Sequence, residues 1–132
     1  MLADVPLALP ALPRAQKLQK RAARVNFDWP AESEVLDKLE EEIAELRAAL
    51  GRGDAAGVEE EMGDVLFTCV NLARHLGLDA ESSLRHASGK FEQRFSRMER
   101  SAKAASTPLE TLTPSQLDAL WEEAKSAGLR QR

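Results

Sequence analysis

At 132 residues and 43% hydrophobic content, the chain is long enough to bury one core and short enough to be one domain. Only 5% of residues are aromatic and none is tyrosine, while 30% are charged, a balance that suits amphipathic helices and not a sandwich or barrel of aromatic, β-branched strands. A net charge of −4 and a pI near 5.3 argue against a general nucleic-acid binder, the lone Cys69 excludes an intrachain disulfide, and no apolar run reaches the ~20 residues of a membrane span.

Residues 1–13 carry Pro6, Pro10 and Pro13 and are expected to form an extended, weakly packed leader, with no basic start of the signal-peptide kind. The expected compartment is the cytoplasm, and the expected domain spans 14–132. A first helix is expected from about Arg14 to Val25, basic through Arg14, Lys17, Lys20, Arg21 and Arg24. Pro30 disfavours helix at Trp29, so Asn26-Phe27-Asp28-Trp29-Pro30 breaks it.

Ser33 is the expected cap of a second helix that runs to Leu50 and stops at Gly51 or Gly53. Its Leu36, Leu39, Ile43, Leu46 and Leu50 alternate steps of three and four, which draws one apolar stripe. A third helix, from about Ala55 to Leu76, repeats the pattern with Val58, Met62, Val65, Leu66, Cys69, Leu72, Ala73 and Leu76, and makes Cys69 a small core residue. Asp79 is placed to cap a fourth helix over Ala80 to about Ala104, with Leu84, Ala87, Phe91, Phe95 and Met98 inward. Thr113 and Gln116 form a capping box, with Pro114 at the first position, for a last helix to about Ala127. The class is therefore all-α, with four to five helices.

Glu42-x-x-Glu45 and Glu61-x-x-Asp64 stand out from the surrounding acidic runs by position. At about 100° per residue, Glu42 and Glu45 lie roughly 70° and 130° from the centre of their helix's stripe. Glu61 and Asp64 lie roughly 80° and 140° from theirs, in the same sense. The short link Gly51-Arg52-Gly53-Asp54 makes the helices antiparallel neighbours, so both pairs can face one groove. Four carboxylates gathered there repel unless a hard cation neutralises them, and a site without histidine suits Mg²⁺ or Mn²⁺. His75 and His86 lack the Glu-x-x-His spacing of a di-iron bundle and are expected at the surface or core edge. Magnesium held by a few carboxylates completes its shell with water and substrate phosphates, so cations are expected nearby: Lys90 and Arg94, four apart on the fourth helix, and Lys38, one turn before Glu42.

The run Asp37-Lys38-Leu39-Glu40-Glu41-Glu42-Ile43-Ala44-Glu45, then Glu59-Glu60-Glu61-Met62-Gly63-Asp64, then Asn71-Leu72-Ala73-Arg74 and Lys90-Phe91-Glu92-Gln93-Arg94-Phe95, resembles the MazG nucleotide pyrophosphohydrolases from about Leu9 to Lys125. The resemblance implies an all-helical bundle completed by dimerisation, which hydrolyses nucleoside triphosphates to monophosphate and pyrophosphate with Mg²⁺. It implies Glu42, Glu45, Glu61 and Asp64 as metal ligands and catalytic residues and places Glu41 near the nucleotide, with Glu41 or Glu45 expected to position the attacking water or accept its proton. Lys38, Lys90, Arg94 and Trp121 match positions around the nucleotide. The expected partners are the triphosphate and a second copy of the chain, with no nucleic acid and no membrane. The sequence is closest to the carboxy-terminal half of tandem members, and the leader resembles their interdomain linker. Ser88-Gly89 replaces the family's common Asn-x before Lys90-Phe91. The alternatives are a narrower pyrophosphatase for dUTP or dCTP, and a helical dimerisation or nucleotide-sensing module that turns nothing over.

Overall fold

A computed structural model describes residues 1–130, all-helical, with no strand among the described residues. Five α-helices follow in order: α1 (Ala11–Ala23), α2 (Glu32–Gly51), α3 (Ala55–His75), α4 (Ala80–Ala104) and α5 (Pro114–Arg130), with a short 3₁₀ turn at Leu109–Thr111. Contacts divide the chain into two units, Met1–Ser83 and Leu84–Arg132, with the boundary in the first turns of α4.

In the first unit the leader is less open than its prolines suggest. Residues 1–9 fold as two turns, closed by Val5 N donating to Leu2 O at 3.0 Å and Leu9 N to Pro6 O at 3.4 Å. Val5 is buried, and Asp4 pairs with Arg21 of α1 at 2.6 Å. Helix α1 starts three residues before the expected Arg14, because Pro10 takes the N-cap and Pro13 falls in the first turn, where its missing N–H has no helical partner to lose. It ends with Asn26 in the left-handed region (φ 64°), and Phe27 N reaches back to Ala22 O at 3.2 Å, a Schellman closure.

Helix α2 corrects the expected cap. Its N-cap is the extended Ala31 without a side-chain bond, and Ser33 is already helical. Glu32 and Glu34 in the first turn supply the negative charge that the helix end favours. The link to α3 is tight: Gly53 at φ 65° closes α2 through Asp54 N to Ala49 O (3.2 Å), and the Asp54 carboxylate then caps α3 by accepting from Gly57 N at 3.0 Å. Helix α3 ends the same way, with Gly77 at φ 73° and Leu78 N on Ala73 O at 2.9 Å. Asp79 caps α4 as expected, accepting from Ser82 N at 3.2 Å.

The faces that α2 and α3 bury differ from the expected stripes. On α2 the buried residues are Val35, Glu42 and Ala49, while the residue after each of them, Leu36, Ile43 and Leu50, is 42–60% exposed. On α3 Thr68, Val70 and Asn71 are buried, and Met62, Leu66, Cys69 and Leu76 are exposed. Both helices are thus turned by about one residue, roughly 100°, from the orientation that would bury the leucines. Cys69 is therefore a surface thiol of the single chain and not a core residue. Glu42 lies in the seam between α2 and α3, not on its flank. Helix α1 is fixed to α3 by the buried Gln19, whose Nε2 donates to Phe67 O at 2.9 Å.

The second unit has a small core of Met98 and Ala102 from α4 and Ala124 from α5. Of the α4 residues expected inward only Met98 is buried; Leu84, Ala87, Phe91 and Phe95 are exposed. The capping box of α5 forms as read, with Gln116 N donating to Thr113 Oγ1 at 3.2 Å and Thr113 N to Gln116 Oε1 at 2.9 Å. Helix α5 passes through Gly128, which stays helical, and so outruns its expected end at Ala127.

Candidate functional site

The seam between α2 and α3 holds the acids. Glu42, Glu45 and Glu61 each offer a carboxylate oxygen within 4.8 Å of the others, with Glu42 buried, Glu61 half-buried and Glu45 exposed. The one-residue rotation of both helices brings this about, because it exchanges leucines for glutamates in the interhelical contact. Asp64, one turn beyond Glu61 on α3, is exposed and stands outside that group; its backbone carbonyl accepts from Thr68 Oγ1 at 2.8 Å.

One oxygen of Glu42 is satisfied by Lys38 Nζ at 3.0 Å, which also reaches Glu41 Oε1 at 3.4 Å. That hydrogen bond to Glu42 holds the Lys38 ammonium above its ordinary pKa. The other oxygen of Glu42, Oε2, is fully buried with no hydrogen-bond partner, and so is Oε2 of Glu61. A buried carboxylate oxygen without a donor is costly, and two such atoms beside a third carboxylate are more so. Burial first, then the neighbouring Glu45 and Glu42 carboxylates, raise Glu61 to a pKa of about 7. The donor set is hard oxygen only, and its orphaned atoms belong to the residues that would ligate. These residues fit a divalent cation of the Mg²⁺ or Mn²⁺ type.

The second unit carries a separate aromatic and cationic cluster. The Trp121 ring lies 5.4 Å from Phe91 at a 44° tilt, Phe91 stacks on Phe95 at 6.1 Å, and the Arg94 guanidinium sits 5.5 Å over Trp121. Phe91 is 59% exposed, so the cluster keeps an open aromatic face. Lys90 is exposed one turn before Arg94. Phe91 was expected inward with the core of α4 and was not singled out as a site residue. Its signal was its place next to Lys90 and one turn before Arg94, on a polar stretch of helix.

His75 stands apart from these groups, half-buried, with Nε2 2.8 Å from Asp28 Oδ1, an oxygen that also accepts from Arg74 at 2.6 Å. His86 is exposed. Both histidines lie where the surface or core-edge reading puts them.

A family model described as the MazG nucleotide pyrophosphohydrolase domain matches residues 31–98, which hold α2, α3 and most of α4. The chain is 47% identical over 126 residues to the nucleoside triphosphate pyrophosphohydrolase of Escherichia coli K12, covering 94% of this chain and 48% of that protein. It is 44% identical over 117 residues to the nucleoside triphosphate pyrophosphohydrolase/pyrophosphatase MazG of Thermotoga maritima, covering 89% and 45%. It is also 38% identical over 131 residues to the Bacillus subtilis uncharacterized protein YabN, covering 98% of this chain and 27% of that one. The chain thus spans about half the length of the first two relatives and less of the third.

Proposed function

This chain belongs to the MazG nucleotide pyrophosphohydrolase family, and from that premise we propose that it hydrolyses nucleoside triphosphates to nucleoside monophosphate and pyrophosphate with Mg²⁺ or Mn²⁺. The observation that carries the reading is the buried, unpartnered Glu42 Oε2 beside Glu45 and Glu61. Glu42, Glu45 and Glu61 would hold the cation, with Asp64 completing the set from the next turn of α3. When bound, the cation supplies Lewis-acid polarisation of the phosphate and neutralises charge on its oxygens.

The chain's own residues have separate tasks. Lys38 keeps one Glu42 oxygen occupied and so aims the other into the seam. Glu41 lies outside the three-acid group and is tethered through Lys38, which suits it to accept the proton of the attacking water. Lys90 and Arg94 offset the charge of the leaving pyrophosphate. The Phe91 and Trp121 faces offer stacking area to a base, which every nucleobase can use. This favours broad specificity over a single base.

A homodimer is part of the same reading. Leu36, Ile43 and Leu50 on α2 and Met62 and Leu66 on α3 leave an apolar strip of the first unit open, of the kind that subunit interfaces cover. No helix among the described residues is long and apolar enough to cross a membrane.

The test separates ligand from base. Glu42→Gln and Asp64→Asn should lose both divalent-cation affinity and pyrophosphate release. Glu41→Gln should keep the affinity and lose the rate. Folded Glu42→Gln and Asp64→Asn proteins that release pyrophosphate at the parent rate would overturn the assignment.

A further inference from the structure

The carboxylate seam uses α2 and α3 and gives α1 no chemical task, yet α1 carries four cations, with a fifth, Arg24, at its C-cap, and no acid in a chain of net charge −4. Beside it lies a cleft of about 300 Å³, at the lower end of the size of small-molecule sites. Lys17, Lys20, Arg21 and Arg24 line it against one carboxylate, Asp79. Gln16 bridges its two walls: its Oε1 accepts from Ala80 N at 3.1 Å and its Nε2 donates to Leu78 O at 3.4 Å. The concavity is therefore built, with α1 on one side and the α3–α4 turn on the other, all within the first unit.

The two acids close to these cations are committed elsewhere. Asp4 holds Arg21 through both carboxylate oxygens at 2.6 and 2.7 Å, which fixes that guanidinium at the cleft. Asp79 accepts from the backbone and hydroxyl of Ser82 as the cap of α4. Among the described residues no carboxylate pairs with Lys17, Lys20 or Arg24. The helix dipole accounts for Lys20 and Arg21, which lie in the last turn of α1. It favours Arg24 at the C-cap too, but not Lys17, and Lys17, Lys20 and Arg24 gather at spacings of three and four, where like charges repel.

We infer that this cleft is a second anion site, which takes the linked phosphates of a small polyphosphate, free or borne by a nucleotide, without a divalent cation. Several point charges on flexible stems around a fixed guanidinium suit a multiply charged anion of variable shape. The site is independent of the carboxylate seam, where phosphates would be held through a metal.

The experiment is calorimetric titration of the full chain with inorganic tripolyphosphate in EDTA at low salt, repeated with adenosine triphosphate. Saturable binding that weakens as salt rises is expected, since exposed charges are screened. The variant Lys17→Ala/Lys20→Ala/Arg24→Ala should bind about tenfold or more weakly, the scale of one or two lost charge-assisted contacts. Glu61→Gln should bind like the parent. Equal affinity for the two ligands would identify the phosphates alone as what is recognised, and tighter binding of the nucleotide would identify a nucleotide-borne source. The inference is overturned if tripolyphosphate does not bind, if the triple variant binds it like the parent, or if Glu61→Gln abolishes binding. Preference for a single-stranded oligonucleotide over tripolyphosphate would also overturn it.

Discussion

Glu61 is the residue whose charge state reports most directly on the seam. Its pKa of about 7 lies above the ordinary glutamate value of 4.5, so between those values the folded chain holds a proton that the unfolded chain has released. The stabilisation from that proton is fully present below about pH 4.5 and is lost as pH rises through about 7. In EDTA, the melting temperature should therefore fall across this window by more than it does in Glu61→Gln, measured by thermal unfolding on both proteins. A parallel pH dependence for the two would contradict the account. The proposed cation would compete with the proton for the same oxygens, so Mg²⁺ affinity should rise over the same interval. Lys38 acts beside it as a positioning residue. Lys38→Met should leave Glu42 with two unsatisfied oxygens and lower stability by about 1–3 kcal/mol, read by urea denaturation without metal.

The α2–α3 hairpin depends on one residue in its link. Gly53 adopts φ 65°, where a side chain costs about 1–2 kcal/mol, so Gly53→Ala should destabilise the fold by about that amount and Gly53→Asn by less. At the other end of the chain, Thr113→Ala removes one half of the α5 capping box and should cost about 1 kcal/mol. These punctuation marks were legible because they are local: glycine at a left-handed turn, Asp54 and Asp79 before a helix, the Thr113 and Gln116 box. All five helices could be placed from them within a few residues. The gathering of Glu42, Glu45 and Glu61 was also legible, since spacing of three on neighbouring antiparallel helices puts such acids on one side, but Asp64 stands outside that group. Which face each helix buries was not. Periodicity locates a leucine stripe but not what covers it, and here the single chain packs Val35, Glu42 and Ala49 and leaves Leu36, Ile43 and Leu50 open. Ser33 misled for a related reason: a good capping residue lost the cap to the extended Ala31 and stands inside the first helical turn.

At the scale of the molecule, the open stripe and the acidic seam are two results of one rotation. Turning α2 and α3 by a residue buries Glu42 inside the unit and leaves Leu36, Ile43 and Leu50 open, the strip that the proposed dimer would cover. Leu66→Asp should shift the chain from dimer to monomer in sedimentation velocity, and a parent that sediments as a monomer would contradict the interface. The chain matches about half of its E. coli and Thermotoga relatives, and its activity is best tested on the chain itself. The most direct measurement is pyrophosphate release across the four canonical ribonucleoside triphosphates, with Mg²⁺ and with EDTA, for the parent and for Glu42→Gln. The account predicts release of pyrophosphate and monophosphate in equal amounts from all four, only with Mg²⁺, and a rate about 100-fold or more lower in the variant. Release of orthophosphate instead, release undiminished by EDTA, or a folded Glu42→Gln protein as fast as the parent would contradict it.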